Sequence, residues 1–341
     1  FFEDTDIKVF GPNKIASQLE GSKIFTKKIC KKFNIPTSKF EIFESKHEAL
    51  KYLESSIYPI VVKADGLASG KGVYICKSQS DSIKAINEIF NGKFGKAEAV
   101  LIEEFLLGEE MSYFIICDGK GYKSFQTAQD HKRVGERDTG PNTGGMGAYS
   151  PSRLNNDILE NKIKKKIIEP TLKGLKELNS DYTGFLYVGL MVSKNEPYLI
   201  EFNVRMGDPE CQTILPLLKT DLARVIISCC NQELSKQKIE WFNKKSLCIV
   251  LCSNGYPGDY KKKIVIENLN NLVIDEGQYI IHAGTKYINK KFYSYGGRVL
   301  NIVVTSDKFE ESKKKAIEIL KKIDWKNGFY RKDIGYKVTN S

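Results

Sequence analysis

The chain has 341 residues, 41% hydrophobic and 28% charged, with a formal net charge of +11; this is enough for two or three domains and ordinary for a globular protein. No apolar run reaches the length of a membrane span, and Phe1-Phe2-Glu3-Asp4 offers neither the basic nor the apolar region of a signal peptide. The basic residues are dispersed and not interleaved with aromatics, which argues against a base-stacking nucleic-acid surface; attraction of small anionic substrates explains the sign equally well.

From the N-terminus, Ile7-Lys8-Val9-Phe10 reads as an extended entry ended by Gly11-Pro12. A helix is expected after Ser22, a good N-cap, with Ile24, Phe25 and Ile29 on one face. A small α/β segment follows: a helix over roughly 45–56, a strand from Tyr58 to Ala64, a glycine-rich loop to Gly72, a strand from Val73 to Cys76, a helix over 80–91 and a strand from Ala99 to Glu104. Strands over 112–117 and 122–128 flank the turn Asp118-Gly119. Residues 129–150 are polar and glycine-rich, too long for a bare connector. Then come a helix at 157–178, strands at 185–192 and 198–202, and helices around 210–231. From Trp241 the texture turns β-rich, with strands at 246–253, 279–282 and 299–304 and a helix over 308–322. A domain boundary is placed there, and no internal repeat is visible.

Four stretches could carry chemistry. Val61 to Gly72 is a strand running into a glycine loop that contains Lys63, Gly70, Lys71 and Gly72. Glycines let backbone N–H groups approach phosphate oxygens, and lysines add point charge. Gly72 follows Lys71 where a Walker A loop needs Ser or Thr, so a hairpin-like phosphate lid fits better; an ordinary glycine hairpin is the alternative. Ile102-Glu103-Glu104-Phe105-Leu106-Leu107-Gly108-Glu109-Glu110 is either a solvated acidic turn or a nucleotide hinge. Residues 129–150 concentrate hydrogen-bonding groups that cannot build a core. His131 could be read there as a general base, but beside Lys132 and Arg133 a structural or substrate-positioning role fits better. In Leu199 to Glu210, strand alternation puts Glu201 and Asn203 on one face, two oxygen ligands of the kind Mg²⁺ takes.

Lys far outnumbers Arg, yet Arg133, Arg205 and Arg298 all lie in loop-like stretches, where a rigid fork suits phosphate or carboxylate. The eight cysteines form no C-x-x-C pair, and the three histidines are too few for a zinc site; reduced thiols in a cytoplasmic protein are expected. Cys248 and Cys252 share a strand face at a separation of about 13 Å, too far for a disulfide.

Taken together these stretches resemble the glycinamide ribonucleotide synthetase family of ATP-grasp ligases along the whole chain. The matching segments include Lys63 to Gly72, Gln129 to Arg133, Gly140 to Pro151, Thr183 to Tyr187, Glu201 to Glu210, Gly255 to Tyr260, His282 to Lys286, Gly296 to Val299 and Arg331 to Gly335. The resemblance implies an ATP-grasp core over 1–36 and 104–240, a lid subdomain over 37–103 and a C-terminal domain over 241–341. It also implies a two-step reaction in which ATP phosphorylates glycine and the amine of 5-phosphoribosylamine attacks the glycyl phosphate. No covalent nucleophile is needed.

Carried over by position, Lys23, Lys63 and the loop with Gly70, Lys71 and Gly72 would meet the ATP phosphates. Glu103, Glu104, Phe105 and Leu106 would form the adenine hinge, and Glu110 the ribose contact. Arg133, Asn142, Arg205 and Asp208 would serve the phosphates, the acyl phosphate and substrate positioning. Asp130, His131, Lys132, Thr143, Gly144, Gly145, Met146, Glu210 and Arg298 would line the substrate site, Arg298 at the phosphoribosyl end. Glu201 and Asn203 would hold Mg²⁺ or Mn²⁺. The family begins with a Rossmann-like domain that is expected to be missing here, since the chain starts with Phe1 and not Met. A fragment without it is expected to bind ATP yet show little ligase activity, as a monomer or weak dimer. The competing readings are another ATP-grasp ligase acting on a different carboxylate, or a basic nucleic-acid-binding module with a vestigial ATP site.

Overall fold

The structure is a computed structural model that describes residues 5–66, 72–95 and 98–339. The chain divides into two compact units: the first comprises residues 1–124, 154–205 and 228–235, the second 125–153, 206–227 and 236–341.

In the first unit, Ser22 caps the helix Lys23–Lys32 by accepting from the Phe25 N–H, as its place before the apolar stripe suggested. The α/β segment is a four-stranded antiparallel sheet in the order Phe40–Phe43, Val100–Glu104, Ile60–Ala64, Val73–Cys76. Helices Lys46–Tyr52 and Gln79–Phe90 bury Ala49, Ala85, Ile86 and Ile89 against Val62, Val100 and Ile102. Ser78 and Asp81 form a capping box at the start of the second helix. The short strand Phe40–Phe43 has no counterpart in the sequence reading.

A second sheet in this unit pairs Glu196–Asn203 with Thr183–Ser193, and the latter with Glu109–Asp118, all antiparallel. Lys194 and Asn195 close the first hairpin with positive φ at both positions, the two-residue turn that matches strand twist. The single helix expected over 157–178 is interrupted. Asp157–Ile163 gives way to a π-helical turn at Lys164–Ile168 before Glu169–Glu177. Pro170 explains the break, because it has no N–H to donate and its ring crowds the preceding turn.

In the second unit the sheet runs from Gln129 and Asp130 to Gly147–Ser150, Lys245–Ser253, Arg298–Ser306 and Gln278–His282. The helix Phe309–Ile323 buries Ala316, Ile319, Leu320 and Ile323 against Leu247, Ile249, Ile302 and Val304. A further sheet orders Ile264–Val265, Lys291–Ser294 and Thr285–Ile288. Residues 129–150, read as loop, hold a hairpin of Arg133–Gly135 with Thr139–Asn142 and the strand Gly147–Ser150. All eight cysteines are free, and no helix among the described residues is long and apolar enough to cross a membrane.

Candidate active site

The expected site residues fall into two sets, one in each unit. In the first unit, Lys63 leaves the strand Ile60–Ala64 only 6% exposed, and its ammonium lies 2.7 Å from Glu103. The same carboxylate accepts from the Ser38 hydroxyl and lies 3.2 Å from the buried ammonium of Lys27. Lys27 in turn donates to the hydroxyls of Thr37 at 2.6 Å and Ser38 at 2.8 Å. Burial pushes the Glu103 carboxyl up, but Lys63 and Lys27 outweigh it and hold the group below its ordinary range. Burial lowers Lys27 despite the upward pull of Glu103.

Glu103 thus turns its side chain into the protein. Of the residues that follow, Glu104 is exposed and accepts from the Lys39 N–H at 2.8 Å, and Phe105 and Leu106 are half-buried. Glu110 is exposed. Gly72 is buried and its carbonyl accepts from the Ala64 N–H at 2.8 Å; Gly70 and Lys71 lie outside the described residues.

Lys23 opens its helix half-buried and donates to the Gly66 carbonyl at 2.9 Å. Burial lowers its pKa, against the pull of Glu201. Glu201 and Asn203 lie two residues apart on one strand, opposite Gly189 and Tyr187, with a register shift after Gly189. Gly189 makes room for the carboxylate, since a Cβ there would come within 3.2 Å of Glu201 Cγ. Arg205 pairs with Glu20 at 2.9 Å, and the other oxygen of Glu20 accepts from the Val204 N–H.

In the second unit, Arg133 and Asn142 are cross-strand partners in the hairpin, and Arg133 Nη1 donates to the Gly140 carbonyl at 2.8 Å. The Lys132 carbonyl accepts from both the N–H and the hydroxyl of Thr143, whose oxygen accepts from the Gly145 N–H. Arg298 binds the carbonyls of Gly144 at 2.6 Å and Asp208 at 2.8 Å, and the Asp208 carboxylate at 2.9 Å. The Gly144 N–H donates to Tyr256 Oη at 2.8 Å. Gly145, at φ 113°, leaves no room for a side chain, because a Cβ would sit 2.5 Å from Pro209 Cδ.

Asp130 is half-buried beside Ala148 and Glu210 is buried, its carboxylate over Gly207. Met146 is fully buried, its N–H donating to the His131 carbonyl at 2.8 Å and its carbonyl accepting from the Val250 N–H at 3.0 Å. His131 is 2% exposed, accepts from the Gly335 N–H on Nε2 and points Nδ1 at Asp138, 3.6 Å away. Neither ring nitrogen is placed to take a proton from a solvent-borne substrate.

Several residues that shape these sets had no role assigned from the sequence: Glu20, Lys27, Ser38, Tyr256 and Arg331. Lys27 sits one helical turn after Lys23, a spacing that puts both on one face. Arg331 shares the rarity that singled out the other arginines.

Residues 21–211 match the family model of the phosphoribosylglycinamide synthetase ATP-grasp (A) domain, and residues 246–337 that of the same enzyme's C domain. The chain is 45% identical to phosphoribosylamine–glycine ligase of Brucella melitensis over 333 residues, 97% of this chain and 78% of the other. Identity to the chloroplastic phosphoribosylamine–glycine ligase of Arabidopsis thaliana is 43% over 338 residues, 97% of this chain and 64% of that one. Among solved structures, the crystal structure of phosphoribosylamine–glycine ligase from Thermotoga maritima superposes with a TM-score of 0.88 at 34% identity, covering 98% of this chain and 83% of that one. The biotin carboxylase domain of Hydrogenobacter thermophilus 2-oxoglutarate carboxylase follows at 0.73 and 18% identity over 94% of this chain and 69% of its own, a likeness of fold alone. That fold is ATP-grasp, with a β-rich region at the C-terminal end. On matches of this extent, the chain belongs to the phosphoribosylglycinamide synthetase family.

Proposed function

We propose that the chain catalyses ATP-dependent ligation of glycine to 5-phosphoribosylamine, giving glycinamide ribonucleotide, ADP and phosphate in purine biosynthesis. The observation that carries this reading is the near-complete coverage of the chain by ligases of that activity. A glycine carboxylate oxygen attacks the γ-phosphorus of ATP and ADP leaves. The amine nitrogen then attacks the acyl carbon of glycyl phosphate, phosphate leaves, and the nitrogen gives up one proton to water. The protein's part is positioning and charge neutralisation.

Lys23 and Lys63 meet the phosphates, and the loop with Gly70, Lys71 and Gly72 covers them. The backbone from Glu103 to Leu106 reads adenine, and Glu110 takes the ribose. Support for Lys63 comes from its place between Glu103 and the end of its strand, where a fixed ammonium needs no reorganisation to meet an anion. Arg133 and Asn142 serve the γ-phosphate and acyl phosphate. Arg205, held by Glu20, and Asp208, held by Arg298, position substrate. The Gly144–Gly145 backbone, with Asp130, Lys132, Thr143 and Glu210, lines the substrate side.

Glu201 and Asn203 fit a hard divalent cation, Mg²⁺ or Mn²⁺, because both offer oxygen and Gly189 leaves the carboxylate space. No cluster of three or more metal-binding side chains occurs among the described residues. A pair of protein ligands completed by substrate phosphates suits this use of magnesium. When bound, the ion neutralises phosphate charge and aligns the transferring group. The polar small-molecule substrates support a cytoplasmic enzyme, and a monomer or weak dimer is the working state.

Incubating the full-length protein with ATP, Mg²⁺, glycine and freshly made phosphoribosylamine should release ADP. ADP release only with bicarbonate, D-alanine or another acid would overturn the assignment.

A further inference from the structure

We propose that Arg331 is a positioning residue for the ligation, acting through the hairpin that carries Arg133 and Asn142. The proposal rests on the functional reading above, in which that hairpin serves the γ-phosphate and acyl phosphate.

Arg331 is 1% exposed and heads the large fully buried side chains among the described residues. A guanidinium so placed must have its donors satisfied. Here they bridge two segments. Nη1 donates to the Arg133 carbonyl at 2.9 Å and to Asp138 Oδ1 at 2.8 Å, while Nε and Nη2 grip Asp333 at 2.9 and 2.7 Å. Asp333 also accepts from the Arg137 N–H at 2.7 Å. Tyr336 donates its hydroxyl to Asp138 Oδ2 at 2.9 Å, and the Gly335 N–H donates to His131 at 3.1 Å. The stretch from Arg331 to Tyr336 therefore takes hold of residues 131, 133, 137 and 138 together.

The hairpin needs that hold. Its tip places two successive non-glycine residues, Arg137 and Asp138, in the left-handed region at φ 54° each. L-residues with side chains disfavour that region, and it persists where surrounding contacts over-determine it. Arg137 and Asp138 are the two tip residues that Asp333 and Arg331 bind. A two-stranded ribbon is marginal by itself in water. Because Arg133 and Asn142 are cross-strand partners, a slip at the tip displaces both.

The test uses the full-length protein with Arg331→Lys and Tyr336→Phe. Lysine keeps the charge but cannot grip two carboxylates and a carbonyl at once. We expect kcat to fall about tenfold or more in Arg331→Lys and about threefold in Tyr336→Phe, on the scale of a small displacement of catalytic groups. ATP affinity should fall less than kcat, because Lys23 and Lys63 are untouched while Arg133 shifts at the γ-phosphate, and hydrogen exchange over 133–142 should accelerate. Folded Arg331→Lys protein with the parent's kcat overturns the proposal, as does a kcat loss that merely matches the fraction of unfolded protein. If Arg331→Lys does not fold, Tyr336→Phe decides alone: lowered kcat with faster exchange supports the proposal, and an unchanged kcat overturns it. Absence of glycine-dependent turnover in the parent protein would instead defeat the functional reading. Exchange over 133–142 then judges the hold, and unchanged protection in Tyr336→Phe overturns it.

Discussion

The Lys63 ammonium and the Glu103 carboxylate stand 2.7 Å apart with 8% and 4% of their side chains exposed, and Lys27 shares the same carboxylate at 3.2 Å. Two cations on one anion make Glu103 the member whose loss matters most. Glu103→Gln is expected to cost about 3–5 kcal/mol, because it leaves two buried ammoniums without their counter-charge. Adding Lys27→Met should recover part of that loss, a coupling that a double-mutant cycle of urea unfolding reads directly. Additive effects would mean that the three groups do not act as one network.

Glu201→Gln keeps the shape of the side chain and removes its charge. The activating metal concentration is expected to rise by about tenfold or more while the protein remains folded, since a neutral amide is a weaker ligand for a hard cation. Titrating Mg²⁺ and Mn²⁺ against ATP-dependent turnover gives the answer. An unchanged titration would remove Glu201 from the metal site.

Acid should loosen the grip of the C-terminal stretch on the hairpin. Burial pushes the Asp138 carboxyl up, yet His131, Arg331 and Tyr336 together take it well below its ordinary range. Asp333 is lowered in the same manner by Arg331 and the Arg137 N–H, against its own burial. A carboxyl depressed in the folded state contributes stability that is present above its unfolded pKa, about 4, and lost as pH falls toward the folded value. Urea unfolding between pH 6 and pH 3 should therefore show a steeper loss in the parent than in Arg331→Met, whose carboxyls lack that partner. Parallel pH profiles would refute it.

Gly145→Ala places a Cβ 2.5 Å from Pro209 Cδ at a backbone angle, φ 113°, that alanine resists. The expected cost is about 1–3 kcal/mol from overpacking, with loss of turnover as the Gly144–Gly145 backbone moves off Arg298. Gly66→Ala is the control. It has φ 89° but nothing within 4 Å among the described residues, so it should cost less. Thermal unfolding of the two variants ranks them.

The elements that carry strong periodicity were legible. Strands such as Val73–Cys76 and the helix Gln79–Phe90 fall where alternation and capping residues put them, because those signals are local. The hairpin in residues 133–142 was not, since its strands are nearly all polar and its tip is held by Arg331 and Asp333 from far along the chain. Pro170 signalled a break that periodicity alone reads through. For the candidate site, the residue types at Lys63, Glu201, Asn203 and Arg133 were readable from motif chemistry. The residues that hold the site's other members, Lys27 at Glu103, Glu20 at Arg205 and Arg331 at Arg133, look like ordinary surface charges in the sequence. Only their burial or pairing distinguishes them.

The lysines of the first unit carry a further consequence, in protons. Lys23 and Lys27 both have their pKa lowered, burial being the main cause, so each holds its proton less firmly than a solvent-exposed lysine does. If Lys23 meets an ATP phosphate as proposed, the arriving negative charge pulls its pKa back up. Between the two values, on the alkaline side, nucleotide binding must draw protons from solution. Calorimetric heats of ATP binding there should accordingly vary with the ionisation enthalpy of the buffer, and the apparent affinity should weaken as pH rises. The enzyme would then be a weaker nucleotide binder in alkali for a reason that lies in the half-buried ammonium of Lys23 and not in ATP.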